Sequence, residues 1–138
     1  MSTTPYIRYR KRRAWNYSLA ETLYVQTALR PVYIIHCGPH LTVHIDGMMV
    51  ISAGYCWDGA TWFPDFDSIK RASVIHDALY QLMREGYLEA DRWREYADSV
   101  LHDCCIEDGM LPFLAKAVYR GVRLGAASAA RSDVLTAP

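Results

Sequence analysis

Two short stretches of this chain carry the side chains best suited to chemistry. Trp57-Asp58-Gly59-Ala60-Thr61 places a carboxylate beside a glycine, the composition of a turn. Ile75-His76-Asp77-Ala78-Leu79-Tyr80 follows on a helical pattern. His76 and Tyr80 lie four residues apart and share a helix face. Asp77 is rotated by about 100° from His76 and faces an adjacent groove. A neutral imidazole such as His76 can take a proton from water near pH 7. It needs an acceptor behind it to fix its tautomer, and Asp98 on the next helical segment fills that place. Asp58 and Asp77, with backbone carbonyls of the Gly59 turn, are the oxygen donors that calcium prefers. Such a cation would polarise an ester carbonyl and stabilise the developing oxyanion. The same residues also suit a structural role. His76 bonded to Asp98, with Asp58 capping a turn or helix end, would pin sheet to helices through satisfied buried hydrogen bonds.

The elements that must position these groups change character near residue 65. Leu19 to Leu29 has the half-regular alternation of a strand, and Val32 to Cys37 is β-branched and aromatic. Leu41-Thr42-Val43-His44-Ile45 alternates cleanly into Asp46-Gly47, a hairpin turn, with Met48 to Ser52 as the returning strand. Gly38-Pro39 is a further turn. From Asp67 the period becomes helical. Asp67 or Ser68 is a possible cap for a helix to about Glu85, with Gly86 as its stop. Ile69, Ala72, Ile75, Leu79 and Leu82 or Met83 mark its buried stripe. A second helix is expected from Glu89 to Asp108, closed by Gly109, with Trp93, Tyr96, Ala97, Val100, Leu101 and Cys104 among its apolar positions. Pro112 suits the first turn of a third, which carries Phe113, Leu114, Ala117, Val118, Val122 and Leu124 and ends near Gly125. The fold class expected is α+β, a small N-terminal antiparallel sheet followed by three helices. The organisation expected is a basic arm over 1–16, one domain over 17–125 and a flexible tail over 126–138.

Composition excludes some functions and leaves others open. A chain of 138 residues suits one domain with a core of its own. Lys plus Arg equals Asp plus Glu, for a net charge of +0, so no bulk charge draws the chain to nucleic acid or membrane. Charge is nevertheless uneven: Arg8, Arg10, Lys11, Arg12 and Arg13 crowd one end, where they suit phosphates, a lipid surface or simple solvation. No apolar run is long enough to span a bilayer, and no apolar signal region follows the basic N-terminus. The four cysteines include the adjacent pair Cys104 and Cys105, which disfavours a bridge between them. Mostly free thiols in a reducing compartment are expected.

Asp58-Gly59-Ala60-Thr61, Pro64-Asp65, Ala72 to His76-Asp77 and Tyr80, and Ala97-Asp98-Ser99 together resemble the core of secretory phospholipase A2, most closely its compact bacterial and fungal kind. That resemblance implies a phospholipase A2-like helical core. It makes His76 the general base and Asp98 the group that orients it, with Tyr80 beside them. Asp58, Gly59 and Asp77 become the calcium site, and a phospholipid or other ester the substrate, admitted past Trp62, Phe63 and Phe66. The disulfide framework of those enzymes is missing, and their glycine-rich calcium loop is reduced to Gly54 and Gly59. A second resemblance is broader, over about residues 17–125. Gly54-Tyr55, Asp58 to Thr61, His76 to Tyr80, Ala97-Asp98 and Tyr119-Arg120-Gly121-Val122-Arg123-Leu124-Gly125 are similar to a domain family of tailed phages and prophages (DUF1353-like). It implies a phage-related protein of host cytoplasm or virion. The alternative function on that likeness is a non-enzymatic accessory or virion protein that meets a virion or host partner.

Three other patterns are weaker. His36, Cys37, His40 and His44 match no closed zinc spacing, and Gly38-Pro39 interrupts their strand parity. His76-Asp77 also resembles the metal phosphohydrolases of the HD type, with His44 and Asp98 as further ligands, but His44 sits on a strand pattern. Trp15, Trp57, Trp62 and Trp93 suit core or turn packing better than a base-stacking platform.

Overall fold

A computed structural model describes residues 3–13, 16–59, 64, 66–125, 130 and 137. The fold is α+β, with two small antiparallel sheets from the N-terminal half and three helices after them. The strands fall in one compact unit, Met1–Gly59, and the helices in a second, Ala60–Pro138.

In the first unit β1 (Tyr9–Lys11), β2 (Tyr17–Leu19) and β7 (Cys56–Trp57) form one sheet in the order β1-β2-β7. The other sheet has the order β3-β6-β5-β4, from β3 (Leu23–Gln26), β4 (Ile35–His36), β5 (Leu41–Val43) and β6 (Met48–Ile51). The alternation from Leu19 to Leu29 suggests one strand, but the structure divides it between the sheets. β2 pairs with β7 and β3 with β6, so two facing stretches of chain bend together at Ala20–Thr22 and Ser52–Tyr55. Gly54 takes a φ of 98° at that bend, a conformation that favours glycine. Backbone bonds from Leu19 N–H to Tyr55 O and from Gly54 N–H to Leu19 O hold the corner at 2.8 Å each.

The Asp46-Gly47 turn joins β5 and β6 as its sequence suggests. Asp46 Oδ1 accepts from the Met48 amide at 3.0 Å, and Gly47 has a φ of 90°. A Cβ at Gly47 would lie 2.5 Å from Thr27 O and 2.6 Å from Leu29 O. Leu41 and Val43 are buried and Thr42 between them is half-buried, which is the period-2 pattern of a sheet with one covered face. From Val32 to Cys37 only Ile35–His36 is strand, and Val32, Tyr33 and Ile34 are exposed.

In the second unit α1 (Asp67–Arg84), α2 (Ala90–Glu107) and α3 (Pro112–Gly125) lie within one or two residues of the boundaries their patterns predict. Gly86 and Gly109 follow the first two helices with φ of 84° and 99°. The expected cap differs: Phe66 holds the N-cap position of α1, and no side chain caps it. Asp67 is instead in the first turn, where a carboxylate favours the positive end of the helix dipole. The stripe Ile69, Ala72, Ile75, Leu79, Leu82 and Met83 is buried throughout. On α3 the buried side chains are Ala115, Val118 and Val122, whereas Phe113, Ala117 and Leu124 are exposed.

Contacts between α1 and α2 run antiparallel. The buried Arg71 guanidinium donates from Nε to Asp108 Oδ2 and from NH2 to Asp108 Oδ1, each at 3.0 Å. NH2 also reaches Glu107 Oε2 at 3.0 Å. α2 ends on these acids with no base in its last turn, an unfavourable arrangement for the dipole that Arg71 offsets. No helix among the described residues is long and apolar enough to cross a membrane.

Candidate functional site

The helical unit assembles its chemistry around one carboxylate. Asp98 lies on the face of α2 between α1 and α3 and is fully buried. His76 of α1 meets it through Nε2, 2.7 Å from Oδ1. Tyr80, one turn along α1, donates its hydroxyl to the same oxygen at 2.6 Å. Arg123 of α3 donates from NH1 to Oδ2 at 2.9 Å. Three helices thus meet at one side chain, and three donors fill most of the acceptor capacity of a carboxylate.

Burial alone would push the Asp98 acid upward. Hydrogen bonds from His76, Tyr80 and Arg123, with the charge of His76 when protonated, outweigh it and hold the group below the usual carboxylate range. Tyr80 is driven the other way. Burial and then the neighbouring Asp98 carboxylate raise its pKa, against a smaller pull from Arg94, so Tyr80 remains a protonated donor. The rings of His76 and Tyr80 stack at 4.2 Å between centroids and 35° between planes, as expected for an i, i+4 pair. The histidine side chain is 14% exposed, so it sits at the edge of the cluster, not sealed within it. With Nε2–H donated to Asp98, Nδ1 carries the lone pair and makes no hydrogen bond among the described residues.

Two arginines join the set that the sequence reading did not assign to the site, although Arg123 stands in the Tyr119–Gly125 stretch. Arg123 is the counter-charge of Asp98. Arg94 NH2 donates to Val122 O at 3.1 Å and to Arg123 O at 2.6 Å. It therefore covers carbonyls at the end of α3 with positive charge and fixes the backbone that presents Arg123. Arg94 Nε is buried without a hydrogen-bond partner among the described residues. The available signal was positional: Arg123 follows the buried Val122 and stands in the last turn of α3.

Of the six site residues named from sequence, the structure brings His76, Tyr80 and Asp98 together. Asp77 is half-buried on α1, next to His76. Asp58 is exposed and Gly59 has a φ of 80° at the end of the strand unit. Ala60, Thr61, Trp62, Phe63 and Asp65 lie outside the described residues, and so does Trp15. Phe66 is described and exposed. In donor type the Asp77 carboxylate suits a hard cation. Among the described residues no three His, Cys, Asp or Glu side chains converge as a metal site, so backbone carbonyls would have to complete the ligand set.

No family model, no curated protein and no solved structure matches the chain.

Proposed function

We propose that the helical unit carries an ester-hydrolysing site of the phospholipase A2 type, with His76 as general base. The observation that supports it is the polarity of the imidazole. Nε2 is committed to a buried, ionised Asp98 at 2.7 Å, so the ring is fixed in one tautomer with Nδ1 as the basic nitrogen.

In this reading His76 Nδ1 takes a proton from water as the water oxygen bonds to the ester carbonyl carbon. Asp98 stabilises the imidazolium that forms. As the tetrahedral adduct collapses, the bond to the leaving oxygen breaks and His76 returns its proton to that oxygen, giving acid and alcohol. Tyr80 and Arg123 hold Asp98 through both of its oxygens, so the base keeps its orientation through the cycle. Asp77 on α1 is the proposed calcium ligand of this unit, with further oxygen donors completing the shell. When bound, the ion would supply polarisation of the ester carbonyl.

The test is fatty-acid release from phospholipid vesicles in millimolar calcium, wild type against His76→Ala. Release by wild type and its loss in the variant are expected, and equal rates would reject His76 as the base. A calcium-dependent rise in melting temperature, absent in Asp77→Asn, tests the ion separately.

One observation favours a second reading, a phage-related accessory or virion protein that keeps this cluster for structure. Arg123 already neutralises Asp98, and a carboxylate bound by three donors needs no substrate to justify its burial. That reading expects His76→Ala to lower the melting temperature while vesicles stay intact with wild type and variant alike.

A further inference from the structure

The basic stretch Arg8 to Arg13 is not absorbed by the helical site, and its geometry is specific. Tyr9–Lys11 is the edge strand of its sheet, exposed along its length. Its register sets Tyr9 opposite Leu19, Arg10 opposite Ser18 and Lys11 opposite Tyr17. Strand alternation then sorts the side chains. Tyr9 goes to the aromatic face, where its ring lies 5.5 Å from Tyr17 and 6.4 Å from Trp57. Arg10 goes to the other face with Ser18, which Arg12, just after the strand, also reaches. Backbone bonds at Arg8 and Arg12 continue the pairing beyond both ends of β1, and alternate residues of such extended chain are about 6.6 Å apart.

The three guanidiniums differ in their ties. Arg12 donates from Nε to the buried Ser18 Oγ at 2.9 Å, which fixes its plane and leaves the terminal nitrogens to bond elsewhere. Arg8 forms an ion pair with Glu21 at 3.3 Å, with both side chains more than half exposed, a contact easily exchanged in water. Arg10, between them, has no acidic partner among the described residues. A regular row of guanidiniums on an extended edge matches successive phosphodiesters of an extended strand, which guanidinium binds in bidentate fashion. Tyr6, 54% exposed just before the row, offers a ring on which a base can stack. A lipid surface is the poorer match, because the exposed side chains of β1 are Tyr, Arg and Lys, with no apolar wedge to enter the acyl region.

We infer that the Arg8–Arg10–Arg12 face of β1 binds the backbone of a single-stranded nucleic acid, without sequence preference. This inference stands apart from the hydrolase reading, since it uses only residues of the strand unit.

The test is fluorescence anisotropy of a labelled oligothymidylate of about 20 nucleotides, titrated with the full chain over a range of sodium chloride. Three phosphate contacts predict a slope of log K against log salt of about −2, at about −0.7 per contact. Arg10→Gln should bring that slope to about −1.4 and leave the melting temperature unchanged. Arg10→Gln with Arg12→Gln should bring it to about −0.7. Absence of binding at low salt would overturn the inference. So would a slope that the substitutions do not move, tighter binding of a duplex of the same length, or binding to phosphatidylglycerol vesicles with none to the oligonucleotide.

Discussion

Among the described residues, the strand unit is lined by Leu19, Leu23, Val25, Leu41, Val43, Met49 and Ile51, and its buried polar side chains are the hydroxyls of Ser18 and Thr27. The helical unit buries Lys70, Arg71 and Asp98 as well as its apolar stripe. A hydroxyl is satisfied by one nearby bond, as Thr27 is by Gly47 O at 2.6 Å. An ion taken out of water costs several kcal/mol unless partners surround it. The first interior is specified by shape and the second by shape together with a fixed set of charges. The His76–Asp98–Tyr80 cluster belongs to the interior that buries charge.

The largest expected effect tests that contrast directly. Asp98→Ala strands the Tyr80 hydroxyl and the Arg123 charge and should cost about 3–5 kcal/mol at pH 7. The sign of the pH dependence follows from the lowered acid. In the window between the folded and the ordinary value the unfolded chain binds more protons, so stability rises with pH there. The contribution of Asp98 is complete above the ordinary carboxylate value near 4 and is lost as pH falls through its folded value. Urea unfolding of wild type and Asp98→Ala at neutral and acid pH should show the gap between them closing in acid.

Ile51→Ala is the counterpart in the strand unit. Removing a fully buried side chain should cost about 3 kcal/mol, and its cost should be the same at both pH values. A pH-dependent Ile51→Ala penalty, or an Asp98→Ala penalty that persists undiminished in acid, would break the contrast between the units.

Tyr80→Phe is smaller. It removes one hydrogen bond to an ionised acceptor, about 2 kcal/mol, while leaving a ring to stack on His76. One of the groups that lowers the Asp98 acid is lost, so acid unfolding should begin at higher pH than in wild type. An acid midpoint that stays in place would mean that His76 and Arg123 alone set the state of Asp98.

Legibility in the sequence follows the same division. The helices were readable because glycines stop two of them, Pro112 starts the third, and the α1 stripe recurs at a period that tertiary contacts do not alter. His76 and Tyr80 share a face by helix geometry alone. That Asp98 accepts from both depends on how α1 and α2 align, which no local spacing encodes. Arg123 was harder still: an arginine in a last turn looks like a favourable end charge, and only three-helix packing turns it toward α2. In the strand unit the Asp46-Gly47 turn was plain. The corner at Ala20–Thr22 was not, because alternation continues through it and the change of sheet is recorded only in the pairing partners. β1 was hidden by its charge, since a strand that exposes all three side chains has no buried parity to detect.

The smallest effect concerns thiols and asks whether the two units open together. Cys56 is exposed, whereas Cys37 in the strand unit and Cys104 and Cys105 in the helical unit are buried. Burial pushes both helical thiols up to about 12, and the nearby Arg71 charge lowers Cys104 too little to reverse this. Thiolate is the reactive form, so at pH 8 an aromatic disulfide reagent should titrate one thiol of four quickly in the native chain and all four in denaturant. The slow thiols react through local or global opening. Asp98→Ala, by weakening the helical unit, should therefore speed the labelling of Cys104 and Cys105, with peptide mapping to assign each site. If Cys37 keeps its wild-type rate, the units open separately and charge burial governs only the second. An equal acceleration of Cys37 would instead mean that the strand interior depends on Asp98 for its stability, despite containing no charge of its own.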